Sequence, residues 1–187
     1  MFNAGVGQSS FYSRPFYSFP IERELYPTKQ IPRLLADVNI LYIFKAPNLV
    51  LKPVAGVGYS PQGYKESGRG LATNDTFYPY RTILKYNYIN LFGGVSYRLA
   101  LFPMWKIRIV QTLNLMGSLE NENRLLKKIA PATRTSMIVD ILLKNNSNLV
   151  LIPFFQTSIL PFNTKKYSPV STNYYPFSYG INIGSYF

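Results

Sequence analysis

The chain contains no cysteine and no histidine. Those two absences remove disulfide scaffolds, thiolate nucleophiles, imidazole or thiolate metal sites, and every triad that uses histidine as its base. Charge is scarce too: 15% of the 187 residues are charged, against roughly 25% in ordinary soluble chains. Acids are scarcest, 8 against 20 Lys and Arg, leaving a formal net charge of +12. Such an excess points to an anionic partner, either nucleic acid or a lipid surface. No apolar run nears the roughly 18 residues of a membrane helix, and no basic stretch leads into an apolar one as in a signal peptide. Convincing helix is also missing, because 14 Pro and 12 Gly are scattered along the whole length.

Apolar residues make up 47% of the chain and aromatics 16%, mostly Tyr and Phe with a single Trp. Disorder requires the opposite balance. The length suits one domain over 1–187, and neither a repeat nor a linker divides it.

The apolar segments are rich in Val, Ile, Tyr and Phe and run with a period of two, the mark of a two-faced strand. Near the end, Phe177, Tyr179, Ile181 and Ile183 share one face, while Ser178, Gly180, Asn182 and Gly184 share the other. Upstream, Leu51, Val57 and Tyr59 alternate with Lys52, Gly56, Gly58 and Ser60. Val38, Ile40 and Tyr42 oppose Asp37 and Asn39; Ile89, Leu91, Val95 and Tyr97 oppose Asn90, Gly94, Ser96 and Arg98. Ile107, Ile109, Leu113 and Leu115 oppose Lys106, Arg108, Thr112 and Asn114, with Gln111 a polar exception on the apolar side. Met137, Val139 and Ile141 oppose Ser136 and Asp140, and Leu149, Leu151 and Phe155 oppose Val150, Ile152, Phe154 and Gln156.

These are seven strands, over 34–45, 49–60, 81–100, 105–119, 134–144, 148–160 and 175–187, with an eighth over 2–8 on the alternation of Phe2, Ala4 and Val6. Most reach the roughly 9–11 residues that a tilted strand needs to cross a bilayer. Connections at 46–48, 101–104 and 145–147 are tight; those at 9–33, 61–80, 120–133 and 161–174 are long and polar. Alternating long and short connections are the rhythm of outer-membrane barrels. The expected fold is all-β: an eight-stranded antiparallel up-and-down transmembrane β-barrel with short periplasmic turns and long outer loops.

Three stretches then resemble a known family. Leu51-Lys52-Pro53 leading to Tyr59-Ser60-Pro61-Gln62-Gly63-Tyr64-Lys65 resembles its strand and following loop. Tyr86-Asn87-Tyr88-Ile89-Asn90-Leu91 and the terminal Tyr179-Gly180-Ile181-Asn182-Ile183-Gly184-Ser185-Tyr186-Phe187 resemble two further strands. The family is the small outer-membrane β-barrel group of Gram-negative bacteria that includes PorT-like proteins. The resemblance implies a barrel fold and location in the bacterial outer membrane, but no particular activity. The chain departs from the family pattern at Val54 and Asn90, where Glu is usual, and at Phe92, where Pro is usual.

Parity places Asp37, Lys52, Arg98, Lys106, Arg108 and Asp140 on inward faces. They form either a pore lining or a paired interior plug, and an eight-stranded barrel leaves a lumen that side chains alone can fill. Tyr179, Ile181, Ile183 and Phe187 fit the carboxy-terminal signal read by the outer-membrane assembly machinery. In the long connections Lys65, Arg69, Arg124, Lys127, Lys128, Lys165 and Lys166 are placed to meet the phosphates of outer-membrane lipid, lipopolysaccharide above all. Nucleic acid is disfavoured, because the basic residues are dispersed and no binding motif accompanies them. The glycines of Gly5-Val6-Gly7 and Gly56-Val57-Gly58 lead into no helix, so they are not phosphate loops.

Nothing in the chain calls for a cofactor or a metal. The function expected is a non-enzymatic integral barrel with a structural or accessory role, docking to other envelope proteins and plugged by side chains. The alternatives are a lipid-acting membrane enzyme, which would have to manage without histidine; a narrow channel for small solutes; and a soluble lipocalin-like barrel, which would invert the two faces. Parity also makes a specific forecast: Ile181→Arg should be costly and Asn182→Ser mild.

Overall fold

The computed structural model describes residues 1–15, 29–45, 48–71, 77–102, 105–119, 129–143, 148–161 and 172–186. Eight strands run in chain order: β1 (Phe2–Pro15), β2 (Lys29–Ile43), β3 (Leu51–Leu71), β4 (Phe77–Leu101), β5 (Trp105–Ser118), β6 (Ile129–Leu142), β7 (Asn148–Ser158) and β8 (Thr172–Ser185). Each pairs antiparallel with its neighbours, and β1 pairs with β8, so the sheet closes on itself as a barrel. Closure leaves no free edge along the shared part of the wall. Among the described residues there is no helix.

The expected all-β, eight-stranded antiparallel barrel is therefore the observed one, and residues 2–8 do belong to a strand. The expected strand ends differ. The stretch 61–80 reads as a loop because Pro61, Gly63, Gly68 and Gly70 are turn-forming types. Instead it is ladder: Gln62 pairs with Tyr86 and so on outward to Leu71 with Phe77, leaving only 72–76 as connection. Regular pairing over successive residues outweighs the individual preferences of those prolines and glycines. Lys65 and Arg69 thus lie on β3 rather than in a loop. Arg124, Lys127, Lys128, Lys165, Lys166 and Phe187 lie outside the described residues.

Period two explains the wall. On β5, Val110, Thr112, Asn114 and Met116 are buried inward, while Ile109, Leu113 and Leu115 are exposed outward. On β8, Ser178 and Asn182 are buried, while Tyr179, Ile181 and Ile183 are exposed. The interior is layered. At the end carrying the short connections sits an apolar layer of Met1, Leu41, Val54, Val110, Ile138, Val150 and Ile152, with Ile43 and Phe92 packed against it. The middle is polar, with Asn3, Asp37, Asn39, Thr112, Asn114, Arg134, Gln156 and Asn182 all buried.

So narrow a lumen holds bulky groups only where the facing wall has none. Gly7 and Gly180 pair directly across the β1–β8 seam. A Cβ on Gly180 would lie 2.4 Å from the Val6 carbonyl oxygen, 2.5 Å from Gly7 Cα and 3.0 Å from the Phe154 ring. Gly180→Val should therefore destabilise the barrel by about 3 kcal/mol, the upper end of ordinary overpacking. Gly93→Ala is the control, since its Cβ would meet only the Val54 carbonyl oxygen at 3.9 Å. Denaturant midpoints of the two variants check the contrast.

Candidate functional site in the barrel lumen

The centre of the lumen is an ion pair that crosses it from β2 to β6. Arg134 donates from Nη1 to Asp37 Oδ1 (3.1 Å) and from Nη2 to Asp37 Oδ2 (2.7 Å), a two-pronged contact. The Asp37 Oδ2 atom also accepts from Asn39 Nδ2 (2.6 Å) and Asn182 Nδ2 (2.7 Å). Four donors occupy a carboxylate that has about four acceptor positions. The remaining Arg134 Nε donates to Ser136 Oγ (3.3 Å), and the guanidinium carbon lies 3.9 Å from the centre of the Phe154 ring. Burial of two charges is tolerated only with this degree of satisfaction.

The network then spreads around the wall. Asn3 Oδ1 accepts from Asn182 Nδ2 (2.7 Å) and Asn39 Nδ2 (3.2 Å), which ties β1, β2 and β8 together. On the other side Thr112 donates to Asn114 Oδ1, Asn114 to Gln156 Oε1, and the Gln156 amide to Met116 Sδ. Nearer the long-connection end Asn90 donates to Ser60 Oγ (2.9 Å). A cavity of about 30 Å³ lies where the polar and apolar layers meet, lined among others by Asn39, Leu41, Thr112, Arg134 and Ile138. That is room for roughly two waters, and far short of the roughly 300 Å³ of a small ligand pocket. Asp37 is 1% exposed and accepts four hydrogen bonds, three at Oδ2 and one at Oδ1, so it ties β2 to β6 and β8. Among the described residues no three His, Cys, Asp or Glu side chains converge as metal ligands.

The six charged residues assigned inward by parity divide between two places. Asp37 alone joins the central network. Lys52, Arg98, Lys106, Arg108 and Asp140 lie at the short-connection mouth, where Arg98 and Lys106 are exposed and the other three half-buried. The six inward residues therefore do not form one network: Asp37 lies in the central one and the other five lie at the mouth. The apolar layer separates the mouth from the ion pair, and Arg134 supplies the countercharge to Asp37. Parity counted back two residues from Ser136 puts Arg134 on the inward face, and it is the first residue of the strand expected over 134–144, so the sequence carries that signal. Selecting interior residues by charge alone also overlooks Asn3, Asn39 and Asn182.

The outside has a different chemistry. Large apolar side chains are exposed on every strand, from Val6 on β1 to Ile183 on β8. Aromatic residues mark two levels. Tyr42, Phe44, Tyr97, Phe102 and Trp105 lie exposed at the short-connection end, on or beside β2, β4 and β5, with Tyr42 and Phe44 in edge-to-face contact at 4.8 Å. Tyr59 and Tyr179 mark the other level, each with its hydroxyl donating to a polar neighbour, Asn87 Oδ1 and Gln8 Oε1 respectively. From Leu51 to Tyr59 along β3, a tilted strand climbs about 20 Å at ordinary barrel tilt. Even the polar exception Gln111 is provided for: its amide donates to Thr133 and accepts from Thr135, both outward neighbours on β6. Tyr179, Ile181 and Ile183 of the expected assembly signal are exposed on this outer face.

Comparison with known proteins returns no matching family model, no matching curated protein and no matching solved structure.

Proposed function

We propose that the protein is an integral β-barrel of the bacterial outer membrane, with a side-chain-filled lumen and a structural or accessory role rather than an enzymatic one. One observation carries the proposal. Among the described residues the middle of the lumen holds an Asp–Arg pair and amides, while large Leu, Ile, Val, Tyr and Phe side chains are exposed on the outer face of the strands. In water that face would be an unsupported exposed surface; against hydrocarbon it is the expected wall, bounded by aromatic girdles. The likeness of three sequence stretches to PorT-like barrels favours the same location. On this reading the assembly machinery engages the closing strand, the short connections face the periplasm and the basic long connections meet lipopolysaccharide phosphate. Other envelope proteins are the partners that such a barrel would dock.

An accessory role is favoured over a channel by the same interior. A solute would have to displace the apolar layer and part an ion pair held by four donors. Purified barrel in planar bilayers should therefore give no steady, porin-like current, and reproducible conductance through the monomer would reject the closed lumen. Heat-modifiable migration on a detergent gel checks the barrel in the membrane setting: a folded band should shift on boiling. A chain that stays soluble without detergent would reject the outer-membrane reading.

A further inference from the structure

The short-connection mouth holds charges that the central network does not use. Arg98 on β4 is the direct cross-strand partner of Arg108 on β5. Partner residues in an antiparallel pair sit about 4.5–5.5 Å apart at Cα, and like charges placed opposite one another are destabilising. Lys106 follows on the same inward face of β5, and Lys52 lies one strand away on β3. Asp140 is the only acid on the described wall at this level, and it is the cross-strand partner of Lys106. Among the described residues none of the four cations makes an ion pair within 4.0 Å. A β-bulge between Arg98 and Ala100 further re-aims the chain beside the two arginines. Directly below them the apolar layer forms a floor.

An isolated pair of facing arginines beside two lysines is unfavourable alone and favourable around an anion. Guanidinium forks match the oxygens of a phosphoryl group in two-pronged fashion, and a doubly charged anion turns their mutual repulsion into shared attraction. We infer that the mouth at the short-connection end is a phosphoryl-binding vestibule, with Arg98 and Arg108 as the clamp and Lys106 and Lys52 as flanking cations. The phosphoryl group belongs either to an anionic lipid headgroup of the adjacent leaflet or to a soluble phosphate. Only the lipid source rests on the outer-membrane reading above.

The test uses the full chain folded in detergent and titrated calorimetrically with inorganic phosphate against chloride at equal ionic strength. A second arm compares thermal unfolding in vesicles of phosphatidylcholine with and without phosphatidylglycerol. Arg98→Gln, exposed at the mouth, and Lys106→Gln are the variants, with Lys85→Gln on the long-connection part of β4 as control. Phosphate binding that weakens at least tenfold in Arg98→Gln and is unchanged in Lys85→Gln supports a site for soluble phosphate. Stabilisation by phosphatidylglycerol alone, lost in the same variants, supports a headgroup site. In phosphate-free buffer Arg98→Gln should raise the unfolding midpoint, because it removes one of two facing like charges. If neither ligand distinguishes Arg98→Gln and Lys106→Gln from the unaltered chain, the vestibule is refuted, whether or not the barrel proves to reside in a membrane.

Discussion

Replacing Arg134 by Met is expected to destabilise the barrel by roughly 3–5 kcal/mol, the usual consequence of stripping one partner from a buried ion pair. Asp37 would keep its Asn39 and Asn182 donors but lose the cation that compensates its charge. Asp37→Asn should have a comparable cost, because it leaves a guanidinium buried over Phe154 without its counterion. The double variant should cost clearly less than the sum of the two, since both charges then leave the interior together. Denaturant midpoints for refolding into lipid vesicles provide all three values. Single variants within about 1 kcal/mol of the unaltered chain would show that the pair does not hold the lumen together.

The second large effect is on the opposite face of β8. Ile181 is exposed outward, so Ile181→Arg should cost about 2–4 kcal/mol if that face meets the middle of a bilayer, and less near an interface. In detergent-free buffer a soluble barrel would accept the same change with little penalty. Its neighbour needs a different forecast from the one that parity alone supports. Asn182 is not merely inward: it is fully buried and donates to both Asn3 and Asp37. Asn182→Ser shortens the side chain away from both acceptors, and leaving them short of donors costs about 1–3 kcal/mol. The mild outcome expected from the sequence is therefore withdrawn. Ser178→Ala, at another inward position of β8, is the better mild control, and equality of Ile181→Arg with it would contradict an apolar environment outside.

These two sites illustrate what a chain with strong period-two patterning discloses and what it conceals. Side chains alternate strictly across a strand, so the inward or outward assignment of Ile181, Asn182, Thr112 or Leu113 follows from counting along the chain. Eight such segments with alternating connections are enough to specify an up-and-down barrel. Pairing across the lumen is another matter. Asp37 and Arg134 are 97 residues apart in sequence, and they meet because closure and stagger bring β2 opposite β6. Neither property is written into either strand. The same limit explains the mouth. Lys106 and Arg108 share the inward parity of Thr112, yet they lie beyond the apolar layer, at a depth that parity does not report. The hairpin extension of β3 and β4 was hidden for a local reason, because glycine and proline in 61–70 resemble a turn when the pairing partner is unknown.

The outer-membrane assignment is tested most directly by the one tryptophan of the chain. Trp105 opens β5, points outward at the lower aromatic level and is half exposed. In vesicles containing lipids brominated at graded depths, its fluorescence should be blue-shifted and quenched, most strongly by bromine near the headgroup. Emission that stays at the water-exposed wavelength and is quenched by none of the brominated lipids would contradict the membrane barrel outright.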